Sequence, residues 1–245
     1  MFPDRFTHVP VSFVSQSAAY TAKPFEYVLL TATAADYTLT LPTSPTVNDV
    51  VSMSATSITG GFKVTVTGTT KNILLREGSA TSFKLFITND HMDLKYNGTA
   101  WEVTNDGRKK HVGVMRNSVA QTISNGVFTV LGYDTLVVDH GGIATIADER
   151  ITALRDGSYN YRAQSIPENT TLAASDRIVT RLYKNGSHFQ AGEQDEDSSG
   201  DRHTTVAAGI IELLAGNYID ARIYYLTGGN CDTEANYSHF QVFET

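Results

Sequence analysis

One cysteine, one tryptophan, four methionines and six prolines in 245 residues close off several kinds of protein at once. A lone cysteine, Cys231, cannot form an intrachain disulfide, so the fold does not depend on oxidation. Positive charge is scarce: 19 Lys and Arg stand against 26 Asp and Glu, a net charge of −7. Nucleic acid demands a basic surface, and the one basic run, Arg108-Lys109-Lys110, reads as a solvated linker, so no nucleic-acid partner is expected. Long apolar runs are missing as well. No segment has the length to span a bilayer, and the opening MFPDRFTHVP lacks the apolar core of a signal peptide. The expectation is a chain made in a cytoplasm, without membrane insertion.

Catalytic patterns are equally sparse. There is no G-x-S-x-G elbow, Walker loop, H-E-x-x-H or G-x-G-x-x-G. The histidines, His8, His91, His111, His140, His188, His203 and His239, are never spaced i, i+2 or i, i+4, so no local metal site stands out. Cys231 has no neighbouring base to activate it, and His140 before Gly141-Gly142 fits a strand-end turn. The pair Asp148-Glu149 would do acid–base chemistry only inside a cleft. No enzyme and no cofactor are expected. Sequons at Asn97, Asn169, Asn185 and Asn236 carry little weight in a chain so rich in Ser and Thr.

What the chain does have is strand punctuation. Apolar and polar residues alternate in His8–Val14, Tyr37–Leu41 and Phe62–Thr67, a period that places the two classes on opposite faces of a strand. Pro42-Thr-Ser-Pro45, Gly60-Gly61, Glu77-Gly78 and Asn97-Gly98 break these runs. The last lies between Met92–Tyr96 and Trp101–Val103 and predicts a short hairpin. The run 206–215 has a helical look, but Gly209, Gly216 and the β-branched pair Ile210-Ile211 favour a strand. The fold class is all-β. Texture changes near Asn105-Asp-Gly107, giving an N-terminal docking arm and first strand at 1–24, a small β-sandwich or prism at 25–106, a linker at 107–118 and a second domain at 119–245.

The acidic run GEQDEDSSGDRH, 192–203, contains D-x-D-x-S-G, the first half of a calcium loop. A full EF-hand loop from Asp195 would need its bidentate Glu where Val206 stands, so this is not an EF-hand. Asp195, Asp197, Ser199 and Asp201 could still offer a looser oxygen site for Ca²⁺. The other reading is a solvated hairpin tip.

Two stretches resemble known families. The run "YTLTLPTSPTVNDVV", "FKVTVTGTTKNIL", "SFKLFITND" and "YNGTAWEVT" resembles a β module of tailed-phage virion proteins. "VAQTISNGVFTVLGYDTLVVD", "ERITALRDGSYNYRAQSI", "DRIVTRLYKNGSHF", "IELLAGNYIDARIYYL" and "SHFQVFE" together resemble the C1q/TNF-like jelly roll. There Asp156–Tyr161 matches the family's "pGiYyf" strand, while Asn217 stands where an Asp is usual. This resemblance implies a homotrimer built about one flat sheet, with Tyr218, Tyr224 and Tyr225 as candidates for its interface; the alternative is that these tyrosines pack within one sandwich. Together the resemblances imply a non-enzymatic structural protein on a virion surface. It would be a short tail fibre or tip protein contacting a host glycan or protein, or a capsid decoration or head-fibre protein docked on the shell through its N-terminal region. Its partners would be further copies of itself and other virion proteins of the tail or the major capsid. From another class, a free carbohydrate-binding β-sandwich fits the same residues.

Overall fold

The computed structural model describes residues 12–75, 78–167, 177–195, 204–226 and 228–245. Two compact units divide it, Met1–Lys109 and Lys110–Thr245, and the described residues of both build strands rather than helices.

The first unit opens with β1 (Ser12–Gln16), β2 (Tyr20–Thr21), β3 (Glu26–Ala32), β4 (Tyr37–Thr40), β5 (Val50–Ile58) and β6 (Val64–Thr67). There follow β7 (Ile73–Leu75), β8 (Gly78–Ala80), β9 (Ser82–Leu85), β10 (His91–Tyr96) and β11 (Trp101–Asp106). From β1 to β6 the chain crosses between two sheets at each step. β1, β3 and β5 pair in parallel in one sheet, and β2, β4 and β6 in the other. The result is three turns of a two-sided winding, closed by antiparallel pairs of β10 with β5 and β11 and of β9 with β6. One apolar core lies between the sheets. Val28, Leu30, Leu39, Val51, Met53, Val64 and Val66 are fully buried there, around Trp101.

The hairpin expected at Asn97-Gly98 forms, and its chemistry is visible. Asn97 Oδ1 accepts the backbone N–H groups of Thr99 and Ala100, both at 2.8 Å. Gly98 adopts φ +102°, which a side chain would strain. Of the arm assigned to 1–24, residues 12–16 form β1, at the edge of the seven-stranded sheet beside β3. Residues 1–11 lie outside the described residues.

The second unit contains β12 (Val112–Arg116), β13 (Thr122–Ile123), β14 (Thr129–Val130), β15 (Thr135–His140), β16 (Ala144–Thr145), β17 (Arg150–Thr152) and β18 (Gly157–Ser165). It continues with β19 (Arg177–Lys184), β20 (Ser187–Asp195), β21 (Thr205–Leu213), β22 (Tyr218–Leu226), β23 (Cys231–Asp232) and β24 (His239–Glu244). One sheet runs β15-β12-β24-β18-β21, the other β16-β17-β22-β19-β20, with β14 also on β22. Apart from the hairpins β16–β17 and β19–β20, the chain passes back and forth between the sheets, and β24 returns beside β12, the winding of an antiparallel jelly roll. The 107–118 linker is therefore shorter than the sequence indicates. Val112–Arg116 is an inner strand, hydrogen-bonded on both sides to β15 and β24. Its Gly113 and Met115 face the core, and turn residues stop before it.

Tyr159, Tyr225, Phe240 and Ile223 fill the space between the sheets. Among them sits a polar knot. Ser165 Oγ lies 3.2 Å from both Thr180 Oγ1 and Thr205 Oγ1, and the two threonines are 2.6 Å apart, all fully buried. Three hydroxyls satisfy one another across the sandwich, tying β19 to β18 and β21 at the level of the core.

Candidate interaction surfaces

The outer face of the β15-β12-β24-β18-β21 sheet is the first surface of note. Register places His140, Val112, Phe243, Asn160 and Ile210 in one row across its five strands. The next row holds Val138, Val114, Gln241, Arg162 and Ala208. Core-facing neighbours such as Met115, Phe240, Val242 and Ile211 are buried, so by strand alternation these rows point away from the core. Ile210 is 63% and Phe243 39% exposed. Glu212, Gln164, His239 and Arg116 surround the apolar centre. An apolar middle with a polar margin is the anatomy of a protein–protein contact.

Sequence reasoning did not single out Val112, Val114, Ile210 or Phe243. A signal was present in the closing strand, where Phe240 and Val242 occupy one parity and Phe243 the other. Bulky apolar residues at both parities mark a strand covered on both faces.

The three tyrosines assigned to a trimer face lie on β22, in the opposite sheet, and do not share a side. Tyr225 is fully buried in the core; burial and then the neighbouring Cys231 push its hydroxyl pKa far up. Tyr224, next in the chain, must point the other way. It stacks on Phe128 with ring centroids 4.8 Å apart. Tyr218, on Tyr224's side of the strand, lies under the Arg150 guanidinium at 4.7 Å. The grouping of these residues on one face is corrected: adjacent strand positions cannot share one.

Of the four residues proposed for calcium, Asp195 closes β20, and Asp197, Ser199 and Asp201 lie outside the described residues, so the loop's cation site does too. Among the described residues no three His, Cys, Asp or Glu side chains gather to hold a metal. Cys231 is buried, its thiol 3.5 Å from the Asp232 carbonyl. His140 is exposed at the end of β15, before Gly141 and Gly142 with φ +99° and +72°. Asp148 pairs with Arg150 at 3.1 Å, while burial and then the Asp220 charge raise the Glu149 carboxyl above its ordinary pKa. In the first unit, a cleft of about 340 Å³ is lined by Thr70, Lys71, Asn72, Leu74, Asn97, Thr99 and Ala100. That lining contains no carboxylate, histidine or thiol to serve as a base.

One charged cluster is well built. Arg155 donates from Nε and Nη2 to the two oxygens of Glu244, at 2.6 and 2.7 Å. The backbone N–H of His111 donates to the same carboxylate at 2.9 Å, and His111 Nδ1 lies 3.2 Å away. Burial raises the Glu244 carboxyl, but the hydrogen bonds from His111 and Arg155 outweigh it and bring the pKa from 4.5 down to about 2. A carboxyl depressed on folding stabilises the fold fully above its unfolded value and loses that contribution as pH falls through the folded one. The window is thus 4.5 to about 2. Glu244→Gln is expected to cost about 2–4 kcal/mol at pH 7, because it removes the charge that accepts both Arg155 hydrogen bonds and the His111 N–H. The same change should flatten the acid limb of stability between those pH values. Urea melts from pH 2 to 7 check both; an unchanged acid limb refutes the assignment.

No family model matches the chain, and none of the curated proteins does. Among solved structures, murine APRIL at pH 5.0 is similar over 56% of this chain and all of its own, at 14% identity and a TM-score of 0.43. The globular domain of zebrafish complement 1qA covers 55% of this chain and 95% of its own, at 15% identity and 0.39. Eiger TNF from S. frugiperda covers 56% and 94%, at 14% identity and 0.38. The fold assignment rests on strand order and pairing rather than on these likenesses: the second unit is an antiparallel jelly roll.

Proposed function

We propose that this chain is a non-enzymatic structural protein that works as a homotrimer, with the β15-β12-β24-β18-β21 sheets of three jelly rolls facing one another. The observation that carries this reading is the apolar centre of that sheet's outer face, Val112, Val114, Val138, Ile210 and Phe243, of which Phe243 and Ile210 are open to solvent in the single chain. The C1q/TNF-like resemblance supplies the threefold arrangement. The resemblance of 25–104 to phage virion modules supports placing the trimer on a tailed-phage particle, as a short tail fibre or tip protein with the jelly roll outward for host attachment. A virion-surface location after synthesis in the host cytoplasm belongs to the same reading.

A second position is favoured by a specific feature. β1 pairs only with β3 among the described residues, which leave its other backbone edge uncovered, and its Phe13 is 67% exposed. An open strand edge with an apolar side chain suits strand addition to a partner's sheet. That would fit a capsid decoration or head-fibre protein docked on the shell.

Light scattering of the purified chain is expected to give three times the 26.7 kDa chain mass. A monomer at concentrations up to about 100 μM, where even weak specific contacts populate, would refute the trimer. Quantitative mass spectrometry of purified particles then separates the positions: a handful of copies supports the tail, hundreds support the shell, and absence from every particle refutes the virion role.

A further inference from the structure

The opposite sheet carries an unsolved charge problem on its outer face. Arg181 of β19 and Arg222 of β22 are direct partners in the antiparallel ladder. Like charges placed opposite each other destabilise a sheet unless each finds a counterion. Arg222 has one: its Nε donates to Asp220 Oδ1 at 2.7 Å, and its guanidinium stacks 3.9 Å over Tyr183. Arg181 has none. Its Nε is buried with no hydrogen-bond partner, and among the described residues it forms no ion pair. A chain of net charge −7 therefore leaves a partly buried cation uncompensated beside another cation. A buried donor of a charged group left unpaired costs stability, and proteins rarely retain one without a use for it.

Two further observations bear on the use. The guanidinium lies 4.1 Å over the ring of Phe128, which stacks on Tyr224, and Tyr183 stands 6.4 Å from Phe128. Arg181 is thus held flat on an aromatic surface, its fork oriented before anything binds. The β19–β20 register also shifts on both sides of the Arg181–Leu182 pair. Bulges of this kind re-aim side chains and gather at binding sites.

From these we infer that the outer face of the β22–β19 ladder binds an acidic saccharide, its carboxylate on Arg181 and its ring against Tyr224, which stacks on Phe128 by one face only among the described residues. A planar guanidinium matches a carboxylate in a two-point contact. The half-buried Tyr224 ring offers the apolar face of a sugar ring a flat seat, where an enclosed small molecule would need a cavity. The site deepens the host-attachment reading proposed above and rests on it for its biological role, although its chemistry does not require the trimer.

The test uses the full chain with sialyllactose and a hyaluronan tetrasaccharide as carboxylated probes, lactose as the neutral counterpart, and sodium acetate and inorganic phosphate as bare anions. Calorimetry or saturation-transfer NMR is expected to show at least one carboxylated sugar binding tenfold or more tightly than lactose, acetate or phosphate. Arg181→Gln should lose that binding by tenfold or more while keeping the native circular dichroism, mass and melting temperature. Arg181→Lys should fall between, since a point charge replaces the fork. Equal binding of lactose, phosphate binding as tight as the sugars, unchanged binding by Arg181→Gln, or no binding of either acidic sugar each overturns the inference. Light scattering on the same samples keeps the two proposals apart: a trimer that ignores acidic sugars removes this site alone, and a monomer that binds them removes the trimer alone.

Discussion

Ile210→Asp is expected to convert the proposed trimer to monomer without unfolding the jelly roll. In the single chain Ile210 is 63% exposed on the outer face of β21, so an aspartate there is solvated and costs within about 0.5 kcal/mol of fold stability. In the trimer the same carboxylate would be pressed into an apolar contact with no partner. Removing a charge from water without pairing it costs several kcal/mol, and each trimer carries the substitution three times. A penalty of about 3 kcal/mol per copy exceeds a hundredfold in each pairwise contact, given tenfold per 1.4 kcal/mol. Sedimentation or light scattering at micromolar concentration should therefore give one chain mass with unchanged circular dichroism. Phe243→Asp, one strand pairing beyond Asn160 in the same row, should do the same. Val47→Asp, at an exposed position in the first unit, should leave the mass alone. A variant at Ile210 that stays trimeric moves the contact to another face.

The second large effect is expected at Trp101. Its side chain is fully buried in the core of the first unit and tilts against Tyr96 at 5.5 Å. Truncating a buried tryptophan to alanine removes its transfer free energy and leaves a cavity, together about 3–5 kcal/mol. A domain of this size is stable by about 5–15 kcal/mol, so Trp101→Ala removes a large share and is expected to lower the urea midpoint sharply. Trp101→Phe should cost much less. The indole N–H is buried without a hydrogen-bond partner among the described residues, so phenylalanine keeps most of the apolar volume and drops an unsatisfied donor. Chemical denaturation followed by circular dichroism measures both. An alanine variant within 1 kcal/mol of the parent would show that Trp101 does not anchor the core.

Alternation and turn chemistry are local properties, and they were readable in the linear chain. Tyr37–Leu41 and Phe62–Thr67 read as strands, and β4 and β6 form within them. Asn97-Gly98 marked its hairpin because the Asn side chain and the Gly backbone do chemistry that few other residues do. Gly209 and the pair Ile210-Ile211 pointed to a strand over 206–215, and β21 runs Thr205–Leu213. The jelly roll was readable through its motifs. The absence of a local catalytic or metal pattern was equally plain, since such patterns are short.

What could not be read was who lies opposite whom. Period two assigns each side chain a parity but does not say which strand pairs with which, because pairing joins residues far apart in sequence. The parallel stacking of β1, β3 and β5 came from that non-local choice, as did the place of Val112–Arg116 between β15 and β24. Parity alone already separates Tyr224 from Tyr225. Only the packing of the two sheets, however, makes Tyr225 core and sets Tyr224 beside Phe128. The two proposed surfaces follow the same rule. Ile210 and Phe243 come from strands β21 and β24, and Arg181 and Arg222 from β19 and β22; each pair is joined only when register across a sheet brings them into line. Composition and spacing thus settled that this chain is a β protein, and the resemblance pointed to a jelly roll. Folding chose its faces, because a face is a property of strands side by side and not of any one of them.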